Sequence, residues 1–91
     1  MGHTACPEKR QYWSLWQHIK IEGMLGREVR LECDPADRRR IAKAVRKERH
    51  MDLEFRTNNP GWVLRDRATP TGMVISLQRG TALPRVRDAD M

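Results

Sequence analysis

DPADRRRIAKAVRKERHMDLEFRT, residues 34–57, decides how the chain is read. Asp34 stands where an N-cap carboxylate accepts from backbone N–H groups, Pro35 fits the first helical position, and Asp37 falls at N3, the capping-box position. The spacing predicts a helix from there to Arg49 or His50, built of strong helix formers (Arg, Ala, Lys, Glu). Its apolar seam is narrow: Ile41, Ala44 and Val45. Past His50 the period changes. Met51, Leu53 and Phe55 alternate with Asp52, Glu54 and Arg56, which predicts a half-buried strand over residues 51–57.

Upstream, residues 27–33 alternate, with Val29, Leu31 and Cys33 on one face and Glu28, Arg30 and Glu32 on the other. Gly23-Met24-Leu25-Gly26 reads as a turn, since glycine supplies positive φ at no steric cost. Before it, Pro7 and Glu8 suit a helix start, and Tyr12, Trp13, Leu15, Trp16 and Ile19 share one side of a helix. A strand through Leu15, Ile19 and Ile21 competes with that helix. The expectation is a short helix from Pro7 to Trp16 or Gln17, then a short strand over 18–22 paired with 27–33 as a hairpin.

Downstream, Asn58-Asn59-Pro60-Gly61 closes the 51–57 strand, with Pro60 and Gly61 at the centre of a type II turn. Residues 62–67 form the next strand, Trp62 and Leu64 on its apolar side. A type I turn at Thr69-Pro70-Thr71-Gly72 leads into a last strand over 73–78, with Met73, Ile75 and Leu77 facing in. The sum is an α+β fold: an antiparallel sheet of four to five strands (hairpin, helix, three-strand meander), a long basic helix packed on one face, and a short N-terminal Trp-rich helix. A strand–helix–strand unit over 27–57 would make those two strands parallel, so strand order stays open. Residues 1–6 read as a flexible leader, 7–79 as one α+β domain and 80–91 as a flexible tail.

The chain is 33% charged with a net charge of +6, a balance that favours an anionic partner. At about 100° per residue, Arg39, Arg40, Lys43, Arg46, Lys47 and His50 fall on the helix side opposite Ile41 and Val45. Like charges at i,i+3 and i,i+4 repel, and a helix tuned only for solubility intersperses acids. The stripe therefore predicts a face that contacts phosphates of DNA or RNA, or an acidic partner protein. It holds no Asn or Gln to read adenine, so base readout is not expected. The strand face carrying Glu28, Arg30, Glu32, Asp52, Glu54, Arg56, Arg65 and Arg67 is mixed in sign and suits cross-strand pairs. Tyr12, Trp13 and Trp16 are a second candidate, an aromatic patch for a partner; the competing use is to cover one end of the sheet. An uncovered sheet edge would support a homodimer.

No phosphate-binding glycine loop, HExxH, G-x-S-x-G or compact Ser/His/Asp set is present, so no enzyme activity, cofactor or catalytic residue is expected. Asp52 and Glu54 on one strand face lack the further ligands a nuclease metal site needs. His3 and Cys6, with His18, Cys33 or His50, lack the paired Cys-x-x-Cys of a structural zinc site, so no metal is expected. Two cysteines make no disulfide framework and are expected as reduced thiols. No apolar run approaches the ~20 residues of a membrane span, and MGHTACPEKR lacks a signal h-region and a Ser or Thr for myristoylation. A cytoplasmic, non-enzymatic binding module is the resulting expectation, either contacting nucleic-acid phosphates or acting as an inhibitor or adaptor of the kind phages and mobile elements encode.

Overall fold

The computed structural model describes residues 3–4 and 6–80, with side chains from Cys6 onward. It is an α+β fold with a three-strand antiparallel sheet and helices. The elements are β1 (His3–Thr4), α1 (Tyr12–Met24), β2 (Val29–Glu32), α2 (Pro35–Met51), α3 (Leu53–Asn58), β3 (Trp62–Thr69) and β4 (Gly72–Arg79), with a 3-10 turn at Lys9–Gln11 leading into α1. Strand order is β1-β2-β4-β3. β4 pairs antiparallel with both β2 and β3, while the two residues of β1 run parallel to β2. The tail expected at 80–91 lies outside the described residues beyond Gly80.

Two expected strands are helical. Residues 18–22 belong to α1, so the hairpin with 27–33 does not form. Leu15, Trp16, Ile19 and Gly23 are all buried, at spacings of one, three and four residues that keep them on one helix side. Gly23 lets the helix sit close to the sheet: a Cβ there would lie 2.6 Å from Leu77 Cβ. The stop is a Schellman motif. Gly26 takes φ 77°, its N–H donates to Gly23 O, and Arg27 N–H reaches back to Glu22 O at 2.8 Å. The Arg27 guanidinium also grips the Glu22 carboxylate at 2.8 Å and holds its pKa below the ordinary value.

The expected strand 51–57 and its three-strand meander are also absent. α2 runs on to Met51, and the chain restarts as α3 rather than extending. Asp52 causes this. Its Oδ1 accepts from Phe55 N at 3.1 Å as the α3 N-cap, and its Oδ2 accepts from Trp16 Nε1 at 2.9 Å and Lys20 Nζ at 2.8 Å. Phe55 then meets Trp16 edge-on, ring centroids 5.1 Å apart. Met51 and Leu53, expected beside Phe55 in the core, are exposed.

The start of α2 is where the sequence puts it, with a different bond. Asp34 is the N-cap by backbone and Pro35 is at N1, but the Asp34 side chain makes no cap bond; its carbonyl accepts from Asp37 N–H at 2.9 Å. The seam is Ile41, Ala42 and Val45 rather than Ile41, Ala44 and Val45: Ala42 is buried, while Ala44 is only half-buried. Arg38 and Arg49 extend that row: Arg38 donates to Gly72 O (2.8 Å) and Thr69 O (2.7 Å), and Arg49 to Trp62 O (2.6 Å).

The β3–β4 hairpin turns through Pro70 and Thr71 as expected, with both strands two residues longer than the pattern implied. Gly61 does not take the positive φ of a type II turn, although Trp62 N–H still closes on Asn59 O. α1 and α2 cover one sheet face, where Val29, Leu31, Met73, Ile75 and Leu77 pack against Leu15, Trp16, Ile19, Ile41 and Val45. On the opposite face Val74 and Ser76 are buried too, because β4 has neighbours on both sides; Arg30 and Arg67 flank Val74 in register.

Two outcomes check this architecture. Burial raises the Asp52 pKa, but the bonds from Lys20, Trp16 and Phe55 outweigh it and hold it below its ordinary value of 3.8. A depressed carboxylate contributes stability above its unfolded pKa and loses it as pH falls through the folded value. Asp52→Asn, which sets an NH2 against two donors beside a partly exposed Lys20, should cost about 2–3 kcal/mol in urea unfolding near neutral pH. It should also remove part of the wild type's stability loss below about pH 4. At Gly72 a Cβ would lie 1.9 Å from Leu31 O, so Gly72→Ala should abolish cooperative unfolding; Gly61→Ala, with nothing within 4 Å, should change stability by under about 0.5 kcal/mol.

Candidate functional site

α2 lies across the sheet with its polar side outward, and its cations divide by what flanks the helix. On the α1 side, Arg40 donates to the Tyr12 hydroxyl and lies 3.4 Å from Asp37. On the β3 side, Arg46 pairs with Asp66 at 2.6 Å. Between them Arg39, Lys43, Lys47 and His50 form an exposed crest, with no hydrogen bond or ion pair to any described residue. Arg39, Lys43 and Lys47 recur every fourth residue along about 12 Å of helix. The structure therefore places all six predicted stripe residues on one helix side but leaves only four of them free.

Beside the crest, Arg38, Arg39, Ala42, Lys43, Arg46 and Asp66 line a shallow groove of about 460 Å³ between α2 and β3. Asp66 is its one acid and is already engaged by Arg46. An anion entering the groove meets three cations besides that pair, one of which, Arg38, is tied to the β3–β4 turn. The groove can hold a phosphate or carboxylate by charge and N–H donation.

The aromatic candidates part company. Trp16 is 0% exposed and belongs to the core, so it is removed from any surface patch. Tyr12 is half-buried against Arg40, and Trp13 stays 46% exposed. The larger apolar surface is elsewhere: Ile21, Met24 and Leu25 are exposed at the end of α1 and, with Phe55 and Asn58, line a groove of about 490 Å³. Sequence reasoning missed it because residues 18–25 were divided between a strand and a turn.

The open sheet face keeps Glu28, Arg30, Glu32, Arg65 and Arg67 and is mixed in sign, but three of the residues expected there are elsewhere. Asp52, Glu54 and Arg56 lie on or before α3 instead. Arg67 pairs with Glu28 across the face at 3.1 Å, and Arg65 has no ion pair among the described residues. A second cationic pair sits where α2 meets α3. Arg49 lies within electrostatic reach of Arg56, both Nε atoms lack an acceptor among the described residues, and burial first, then Arg56, lowers the Arg49 pKa. Arg49 also stacks 6.0 Å from the Phe55 ring, which marks it as a packing residue.

Among the described residues no three His, Cys, Asp or Glu side chains converge as metal ligands, and no helix is long and apolar enough to cross a membrane. No family model matches the chain, and neither a curated protein nor a solved structure matches it.

Proposed function

We propose that this chain is a non-catalytic binding module that holds the phosphate backbone of DNA or RNA, without reading sequence, on the crest of α2. The observation that carries it is the separation of the helix cations into engaged and free. Arg38, Arg40, Arg46 and Arg49 each have partners within the fold, whereas Arg39, Lys43, Lys47 and His50 have none among the described residues. A regular row of unneutralised cations on a rigid helix suits a polyanion, whose affinity comes chiefly from counterion release. Arg39 and Lys43 border the shallow, open groove beside β3, which fits contact with a backbone rather than an enclosed ligand.

A second reading, an inhibitor or adaptor that binds an acidic partner protein, is favoured by the β3 edge. Gly80 N–H donates to Gly61 O, so alternation along the ladder turns the N–H and C=O groups of Leu64, Asp66 and Ala68 away from β4. Arg65 and Arg67 flank them on the open face. Pairing with a second copy centred on Asp66 would set Arg65 against Arg67, so an acidic strand suits this edge better than a homodimer does.

Fluorescence anisotropy with a labelled duplex across a salt series tests the first reading. Three to four phosphate contacts should weaken binding roughly 50- to 150-fold between 50 and 200 mM salt. Arg39→Glu/Lys43→Glu/Lys47→Glu should remove binding while leaving the unfolding midpoint nearly unchanged. The absence of binding at about 50 mM salt would reject this reading. A stoichiometric protein partner that survives nuclease would favour the second.

A further inference from the structure

The two cysteines stand 27 positions apart in sequence but pack against one core cluster in the fold. In the parallel pairing of β1 with β2, His3 lies opposite Arg30 and Thr4 opposite Leu31. Continued two residues past those pairs, the same register would bring Cys6 opposite Cys33. Cys33 is kept in line with β2 by its N–H, which donates to Thr71 O at 3.2 Å. Neighbouring strands run about 4.7–4.9 Å apart, and residues at one level point to the same face. Disulfides span Cα separations of about 4.4–6.8 Å. Both cysteines are free, half-buried and packed against the same core cluster.

Their surroundings agree. Cys6 Sγ lies 3.9 Å from Asp37 Oδ2 and 3.7 Å from the Arg40 guanidinium, at the first turns of α2. The Cys33 pKa is raised, first by burial and next by the charge of Cys6, with Arg38 opposing and Asp37 adding to it. Each sulfur thus lies near Asp37, and the Cys33 thiol is within electrostatic reach of Cys6.

We propose that Cys6 and Cys33 are a redox-active pair that closes to an intramolecular disulfide and ties the first strand to the second. With glutathione disulfide as oxidant, the Cys6 thiolate attacks one of its sulfurs. That forms a mixed disulfide and expels one glutathione thiolate. The Cys33 thiolate then attacks Cys6 Sγ, forming the protein disulfide and expelling the second glutathione. The protein loses two protons and two electrons, and one glutathione disulfide becomes two glutathiones. The bond closes a loop holding the whole of α1, so it removes conformational freedom from the unfolded chain. This inference is independent of what the α2 crest binds.

The test is to incubate the full chain with glutathione disulfide, quench with acid, and measure intact mass, peptide linkage and melting temperature. The expected product is a monomer lighter by two hydrogens, with the Cys6 and Cys33 peptides joined. It should melt at least about 5 °C above the reduced chain. Cys33→Ser should stop at one glutathione adduct on Cys6. Accumulation of glutathione adducts on the wild type, or of disulfide-linked dimers, without the two-hydrogen loss would overturn the pairing. The wild-type mass does not depend on the variant folding.

Discussion

One buried carboxylate holds the helical layer in register. Asp52 is 8% exposed and accepts from Lys20 and Trp16 of α1 and from the first turn of α3. An anion in that position is costly unless its oxygens are satisfied, and here both are. The consequence reaches beyond local stability. By capping α3 one residue after α2 ends, Asp52 directs the chain into a second helix and seats Phe55 on Trp16. The sheet is then left with β2, β4 and β3 as its antiparallel strands, and β4 becomes its centre. Lys20 completes the unit: its ammonium pairs with Asp52 while lying 5.6 Å from the Trp16 ring and 5.8 Å from the Phe55 ring.

The same logic sorts the chain's many cations. Those on the flanks of α2 are drawn into the fold: Arg38 clamps the β3–β4 turn, Arg49 fastens the start of β3, Arg40 and Arg46 lean toward acids or hydroxyls on either side. Only the residues furthest from the core remain unengaged within the described chain. A count of arginines overstates the binding surface, because several of them substitute for the hydrogen bonds a small core cannot otherwise supply. The functional reading consequently rests on four residues rather than six, and on their regular spacing.

What the sequence disclosed follows from how local each signal is. β2, the β3–β4 hairpin and the start of α2 were legible, because alternation, a Pro-Thr turn and an Asp-Pro cap each act within a few residues. Residues 18–22 and 51–57 were misread for a shared reason. In so short a window, apolar residues two apart satisfy a strand, while the partners that select a helix lie far away. Ile19 belongs with Trp16 and Gly23 only once β4 is beneath them, and Asp52 looks like a solvent-facing strand residue until Trp16 and Lys20 reach it. For the candidate site, the stripe could be read from helical periodicity. Which of its members are engaged depends on Asp37, three residues from Arg40, and on Tyr12 and Asp66, neither of which is near in sequence. The proposed pairing of Cys6 with Cys33 was hidden likewise, since it depends on the crossover through α1.

The most direct measurement is a backbone amide NMR titration of the folded chain with a short unlabelled DNA duplex at low salt. The account predicts shift changes concentrated at Arg39, Lys43, Lys47 and His50, spreading to Arg46 and Asp66, with little change at Ile21, Met24 and Leu25. Changes centred on that apolar groove, or none anywhere at saturating duplex, would contradict it.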